Sequence, residues 1–149
     1  MSRKASRYLV LDAFVIGKAS VRSSNPEVWK ARDVLCRIKY VPHTIILDPE
    51  KNNEDNIIDE YRRQAVSEMT KRWLITIQTG ENIVFRDRAP ITISVLTDPD
   101  DQKYFQVAVN SPHKIIISED SHFTKIANHK EVTSKGLHIW GLDQSLNEL

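Results

Sequence analysis

The sequence predicts a three-layer α/β sandwich in which helices cover both faces of a central, mainly parallel sheet. Three observations lead there. Short continuous apolar runs, Tyr8 to Leu11, His43 to Leu47 and Ile115 to Ile117, have the pattern of strands buried on both faces. Helical stretches alternate with them, which implies right-handed crossovers. Two acids, Asp12 and Asp120, stand just after buried runs, where open parallel sheets bind their ligands.

Tyr8 to Leu11 reads as the first strand. Asn25-Pro26-Glu27 supplies a capping side chain, a proline at the first helical position and an acid in the first turn. The helix it opens runs to about Lys39, with Val28, Ala31, Leu35 and Ile38 on one face. His43 to Leu47 is the second strand, closed by Asp48-Pro49. Asn53 then opens a helix with Glu54 and Asp55 in its first turn. Its apolar stripe, Ile57, Tyr61, Ala65, Met69, Trp73 and Ile77, recurs every fourth residue and predicts one long helix to about Gln78, ended by Thr79-Gly80.

Ile83 to Phe85 and Ile91 to Leu96 read as extended segments separated by Arg86-Asp87-Arg88 and Pro90. Asp98-Pro99 repeats the cap-plus-proline signal and starts a helix to about Asn110. Lys114 to Ser118 is another buried strand, a helical turn follows near His122 to Asn128, and Leu137 to Trp140 closes the sheet.

A chain of 149 residues suits one domain, spanning 1–149, without repeats or linkers. Its 21 Lys+Arg against 20 Asp+Glu give a formal charge of +1, which excludes a polycation or an acidic tail. Nucleic-acid contact would then be a local patch. The single Cys36 forms no internal disulfide and favours a reducing cytoplasm. The apolar run Tyr8 to Leu11 is too short for a signal core or a membrane span.

Four carboxylates are candidates for convergence. Asp12 and Asp120 follow buried strands. Asp101 lies in line with Phe105 and Ala108 on its helix, and Glu60 flanks the apolar stripe beside Tyr61. Like charges about 4 Å apart repel by about 4 kcal/mol at an effective dielectric near 20, so such a cluster requires a cation. Oxygen ligands without clustered His or Cys suit Mg²⁺ or Mn²⁺. A hard cation polarises a phosphoryl oxygen and supplies hydroxide near neutral pH, which makes phosphodiester hydrolysis the natural chemistry.

The order of these residues resembles the PIN-domain ribonucleases, and among them the VapC-type toxins of toxin-antitoxin pairs, over almost the whole chain. The resemblance is carried by Val10-Leu11-Asp12-Ala13, Ile57-Ile58-Asp59-Glu60-Tyr61-Arg62-Arg63, Asp98-Pro99-Asp100-Asp101-Gln102-Lys103-Tyr104-Phe105 and Ile115-Ile116-Ile117-Ser118-Glu119-Asp120-Ser121-His122-Phe123. It implies that Asp12, Glu60, Asp101 and Asp120 bind one or two divalent ions, with the Ser118 hydroxyl beside them. It further implies a metal-dependent endoribonuclease acting on single-stranded RNA, a homodimer, and a small antitoxin protein that blocks the acidic pocket. Phe14 departs from the pattern, which places a small polar residue two positions after the first aspartate. The alternative reading is a PIN-like nucleic-acid-binding or scaffold module that cleaves weakly.

Other signals have simpler explanations. Asp98 reads as a helix cap and Asp100 as a first-turn acid. Ile16-Gly17-Lys18-Ala19-Ser20 lacks the glycine and the Ser or Thr of a phosphate loop, and Phe14 stands where an aspartyl-nucleophile phosphatase needs its second aspartate. Arg62, Arg63, Lys71 and Arg72 read as a solvated helix face, Lys103 as a phosphate contact, and Trp29, Trp73 and Trp140 as core anchors.

Overall fold

Five parallel strands form one sheet in the order β3-β2-β1-β4-β5, with β1 (Tyr8–Leu11) at its centre, β2 (Thr44–Leu47) and β3 (Ile83–Phe85) to one side, and β4 (Ile115–Ile117) and β5 (His138–Trp140) to the other. The computed structural model describes residues 5–51 and 55–149. Every side chain of Leu9 to Leu11 and Ile115 to Ile117 is buried, as two-sided coverage demands.

Helices α1 (Ala13–Ala19), α2 (Pro26–Tyr40), α3 (Ile57–Gln64) and α4 (Glu68–Thr79) belong to the crossovers on the β2-β3 side. The chain reverses its direction across the sheet between β3 and β4. Right-handed connections therefore carry α5 (Gln102–Val109), α6 (Ser121–Thr124) and α7 (Lys130–Thr133) over the opposite face. Helix α8 (Leu142–Glu148) packs back on α2. No helix among the described residues is long and apolar enough to cross a membrane.

The predicted long helix is two. Ala65 leaves the helical region, and Ser67 caps a new helix: its hydroxyl accepts from the Thr70 amide at 3.1 Å, while its own amide donates to Thr70 Oγ1. Ser20 stabilises the break, donating to the Gln64 carbonyl at 2.9 Å. The four-residue stripe survives because Tyr61, Ala65, Trp73 and Ile77 all still face the core. The predicted start at Asn53 and Glu54 lies outside the described residues.

Ile91 to Leu96 is a loop, against the expected strand. Its backbone finds side-chain partners in place of a ladder: Gln102 both donates to and accepts from Ile93, each at 2.8 Å, and Gln106 donates to the Ile91 carbonyl. The helix expected from Pro99 begins as a 3-10 turn, Pro99–Asp101, and becomes α-helical at Gln102. Trp73 and Trp140 are buried, but Trp29 is 55% exposed because it sits off the Val28-Ala31-Leu35-Ile38 stripe; the Arg32 guanidinium covers its ring at 5.0 Å. Helix α1 packs closely on α3 at Gly17, where a Cβ would displace the side-chain amide of Gln64.

Candidate metal centre

Strands β1 and β4 are neighbours, yet the connections from each leave in opposite directions across the sheet. Their C-terminal ends thus form the crevice in which such sheets bind ligands. Asp12 follows β1 and caps α1, with Oδ1 accepting from the Phe14 amide at 3.2 Å. Oδ2 accepts from the Ser118 hydroxyl at 2.7 Å. Ser118, fully buried just after β4, also receives the Asp120 amide on its Oγ at 3.0 Å. One hydroxyl therefore fixes both strand-end acids.

Asp120 caps α6 through the His122 amide at 2.9 Å. Asp101, at the end of the 3-10 turn, completes a group in which one ligand atom each of Asp101, Asp120 and His122 lies within 4.8 Å of the others. Burial is the main cause that pushes the Asp12 carboxyl up to about 7; Ser118 and the Phe14 amide oppose it, and the charges of Asp101 and Asp120 add to it. Asp101 is raised to about 6 by burial first, then by Asp98, Asp120 and Glu60, with His122 opposing. Glu60, Asp12, Asp101 and Asp120 therefore belong to one electrostatic neighbourhood that holds more negative charge than it can compensate in its Asp12-Asp101-Asp120 part.

Glu60 is placed differently from the other three. Its Oε1 is paired with the Lys103 ammonium and its Oε2 accepts from the Tyr104 hydroxyl. Lys103, read from sequence as a phosphate contact, is 4% exposed and committed to carboxylates, bridging Glu60 and Asp55. Tyr104 Oη in turn accepts the Ala13 amide at 3.3 Å, and Tyr61 donates to the Leu11 carbonyl at 2.6 Å. Burial and the Asp12 charge raise both phenols well above their ordinary values, so they act as neutral donors around the site.

Asp98 and Asp100 behave as capping and first-turn acids, Asp98 accepting from the Asp100 amide at 2.9 Å. Arg62 and Arg63 are exposed and pair with Glu50, Asp59 and Asp55. Asp48 has the same position after β2 that Asp12 has after β1, and it is as deeply buried. It is structural: the Ile57 amide, Asn56 and Arg88 occupy its oxygens at 2.9, 3.1 and 2.7 Å.

His122, Lys103 and Tyr104 are the participants that sequence reasoning missed in these roles. His122 follows Asp120 by two residues, and that spacing around a cap was the available signal. Two carboxylates and one imidazole make a group that can hold a metal ion, and the imidazole departs from the oxygen-only donor set expected from sequence. Comparison with family models, with curated proteins and with solved structures finds no match to this chain.

Proposed function

We propose that the protein is a divalent-metal-dependent endoribonuclease acting on single-stranded RNA. The observation that carries this reading is the placement of Asp12, Asp101 and Asp120 at the β1-β4 switch point, with Ser118 bonded to both strand-end acids. When bound, Mg²⁺ or Mn²⁺ would supply Lewis acidity toward a phosphoryl oxygen. Asp101, Asp120 and His122 would hold it, with Asp12 contributing its buried charge from β1.

The chain's own groups do the positioning. Ser118 and the Phe14 amide orient the two oxygens of Asp12, and Asp120 is fixed at both its amide and its carboxylate. A net charge of +1 offers little general attraction for duplex, and uncompensated carboxylates repel phosphate, so substrate engagement should depend on the cation. The resemblance to VapC-type toxins extends the proposal to a cytoplasmic homodimer and to a small antitoxin that covers the acidic pocket.

A second reading, a PIN-like scaffold module with weak cleavage, draws on the commitment of both Glu60 oxygens to Lys103 and Tyr104. Incubation of purified protein with labelled single-stranded RNA, with and without Mn²⁺, separates the two. Cleavage that requires Mn²⁺ and disappears in Asp12→Asn and Asp120→Asn supports the nuclease. Intact RNA at every Mn²⁺ concentration, or cleavage retained in both variants, overturns it.

A further inference from the structure

The acidic site divides into two parts. In one, Asp101, Asp120 and His122 each bring a ligand atom within 4.8 Å of the others, the one such group among the described residues, and the charges of Asp101 and Asp120 act on the buried Asp12. In the other, Glu60 and Asp55 share the ammonium of Lys103, which is 4% exposed and approaches Asp55 Oδ2 at 3.1 Å. Tyr104, the residue after Lys103, occupies the remaining oxygen of Glu60. A buried lysine persists only when its charge is matched by well-placed acceptors, and here two carboxylates supply them.

We propose that Lys103 takes the place of a second divalent cation, so that the centre binds a single ion and Glu60 serves as a positioning residue rather than a metal ligand. This inference rests on the metal-dependent reading above and decides between the one or two ions that the family resemblance leaves open. Lys103 follows Asp101 by two residues on the same helical entry, so its ammonium arrives with the metal-facing acid. A dication seated on Glu60 would face that ammonium at close range with little water to screen it, and the like-charge repulsion disfavours it. Glu60, held by Lys103 and Tyr104, keeps Tyr104 in place to receive the Ala13 amide beside Asp12.

The test counts ions, independently of cleavage. Mn²⁺ is titrated into the full chain, and free Mn²⁺ is measured by electron paramagnetic resonance. Wild-type protein should bind one Mn²⁺ per chain, and so should Lys103→Arg. Lys103→Met, which keeps the apolar stem and removes the charge, should bind two. Glu60→Gln, which is expected to remain folded, should change Mn²⁺ affinity by less than about 3-fold, whereas Asp101→Asn and Asp120→Asn should weaken it by more than about 10-fold. Two ions in the wild type, or a loss in Glu60→Gln equal to that in Asp120→Asn, overturns the inference and leaves the nuclease reading standing. No Mn²⁺ binding by the wild type overturns both.

Discussion

The hydroxyl of Ser118 donates to Oδ2 of Asp12 at 2.7 Å, joining the ends of two adjacent strands across 106 residues of chain. That bond favours the charged carboxylate, in opposition to the burial that disfavours it. Ser118→Ala should therefore raise the Asp12 pKa further above about 7 and weaken Mn²⁺ binding at pH 7 by about 10-fold. The deficit should shrink at pH 8.5, where a larger fraction of Asp12 is ionised in both proteins. Calorimetric titration at the two pH values tests this, and equal affinities at pH 7 would count against the bond's role.

Metal-free protein should lose stability as pH rises. The folded pKa of Asp12, about 7, lies above its ordinary value of 3.8, so between these limits the folded state holds more protons than the unfolded one. Unfolding free energy then falls from about pH 4 to about pH 7 and levels off above. The full effect of Asp12 is on the order of 4 kcal/mol, and Asp101 acts in the same direction. Urea unfolding in EDTA at pH 5 and pH 8 captures most of it, about 3 kcal/mol. The Asp12→Asn protein should show a much smaller difference, and that comparison cancels other groups such as His43, whose lowered pKa works in the opposite sense.

Asp48 and Asp12 separate structure from function. Asp48→Ala removes the acceptor shared by the Ile57 amide, Asn56 and Arg88 and should cost about 3 kcal/mol of stability. Mn²⁺ affinity of the folded fraction should be unchanged. A variant with wild-type melting temperature but lost metal binding would place Asp48 in the site.

For Asp98→Asn, near-normal cleavage is expected, because asparagine keeps the side-chain cap on the Asp100 amide. Removing its charge also relieves one of the repulsions that raise Asp101. A rate as low as that of Asp101→Asn would show that Asp98 has a direct part in the reaction.

Phe14 is 46% exposed, with the Lys18 ammonium 5.7 Å from its ring, so it is no core anchor. Phe14→Asn should stay folded, with a melting temperature within about 3 °C of wild type, in the range of ordinary surface substitutions. A short polar side chain at this position can hydrogen-bond a ligand or its water, so the Mn²⁺ concentration for half-maximal cleavage should fall by about 10-fold. If rate and metal requirement both stay constant in the folded variant, the departure from the family pattern is neutral.

The sequence by itself determined the layered α/β class, all five strands to within a residue or two, and the capped starts at Pro26 and Pro99, because apolar runs and capping residues act locally. It also singled out Asp12 and Asp120, since an acid after a buried strand is conspicuous, whereas Ser118 came only from the family resemblance. What it could not separate was Asp12 from Asp48: both follow buried strands, and only the fold brings Arg88 and the start of α3 onto one of them. The same limit applies to the break at Ser67, where the four-residue stripe continues unbroken while Ser20, far away in sequence, receives the freed backbone. Short helices such as α1 and α8 were missed because their stability comes from packing on neighbours rather than from a long repeating stripe. Lys103 shows the limit most clearly. Sequence presents it as a lysine free for phosphate, and tertiary structure decided otherwise by bringing Glu60 and Asp55 to its ammonium, because a cation shut away from water must take its partners from whichever carboxylates the fold delivers.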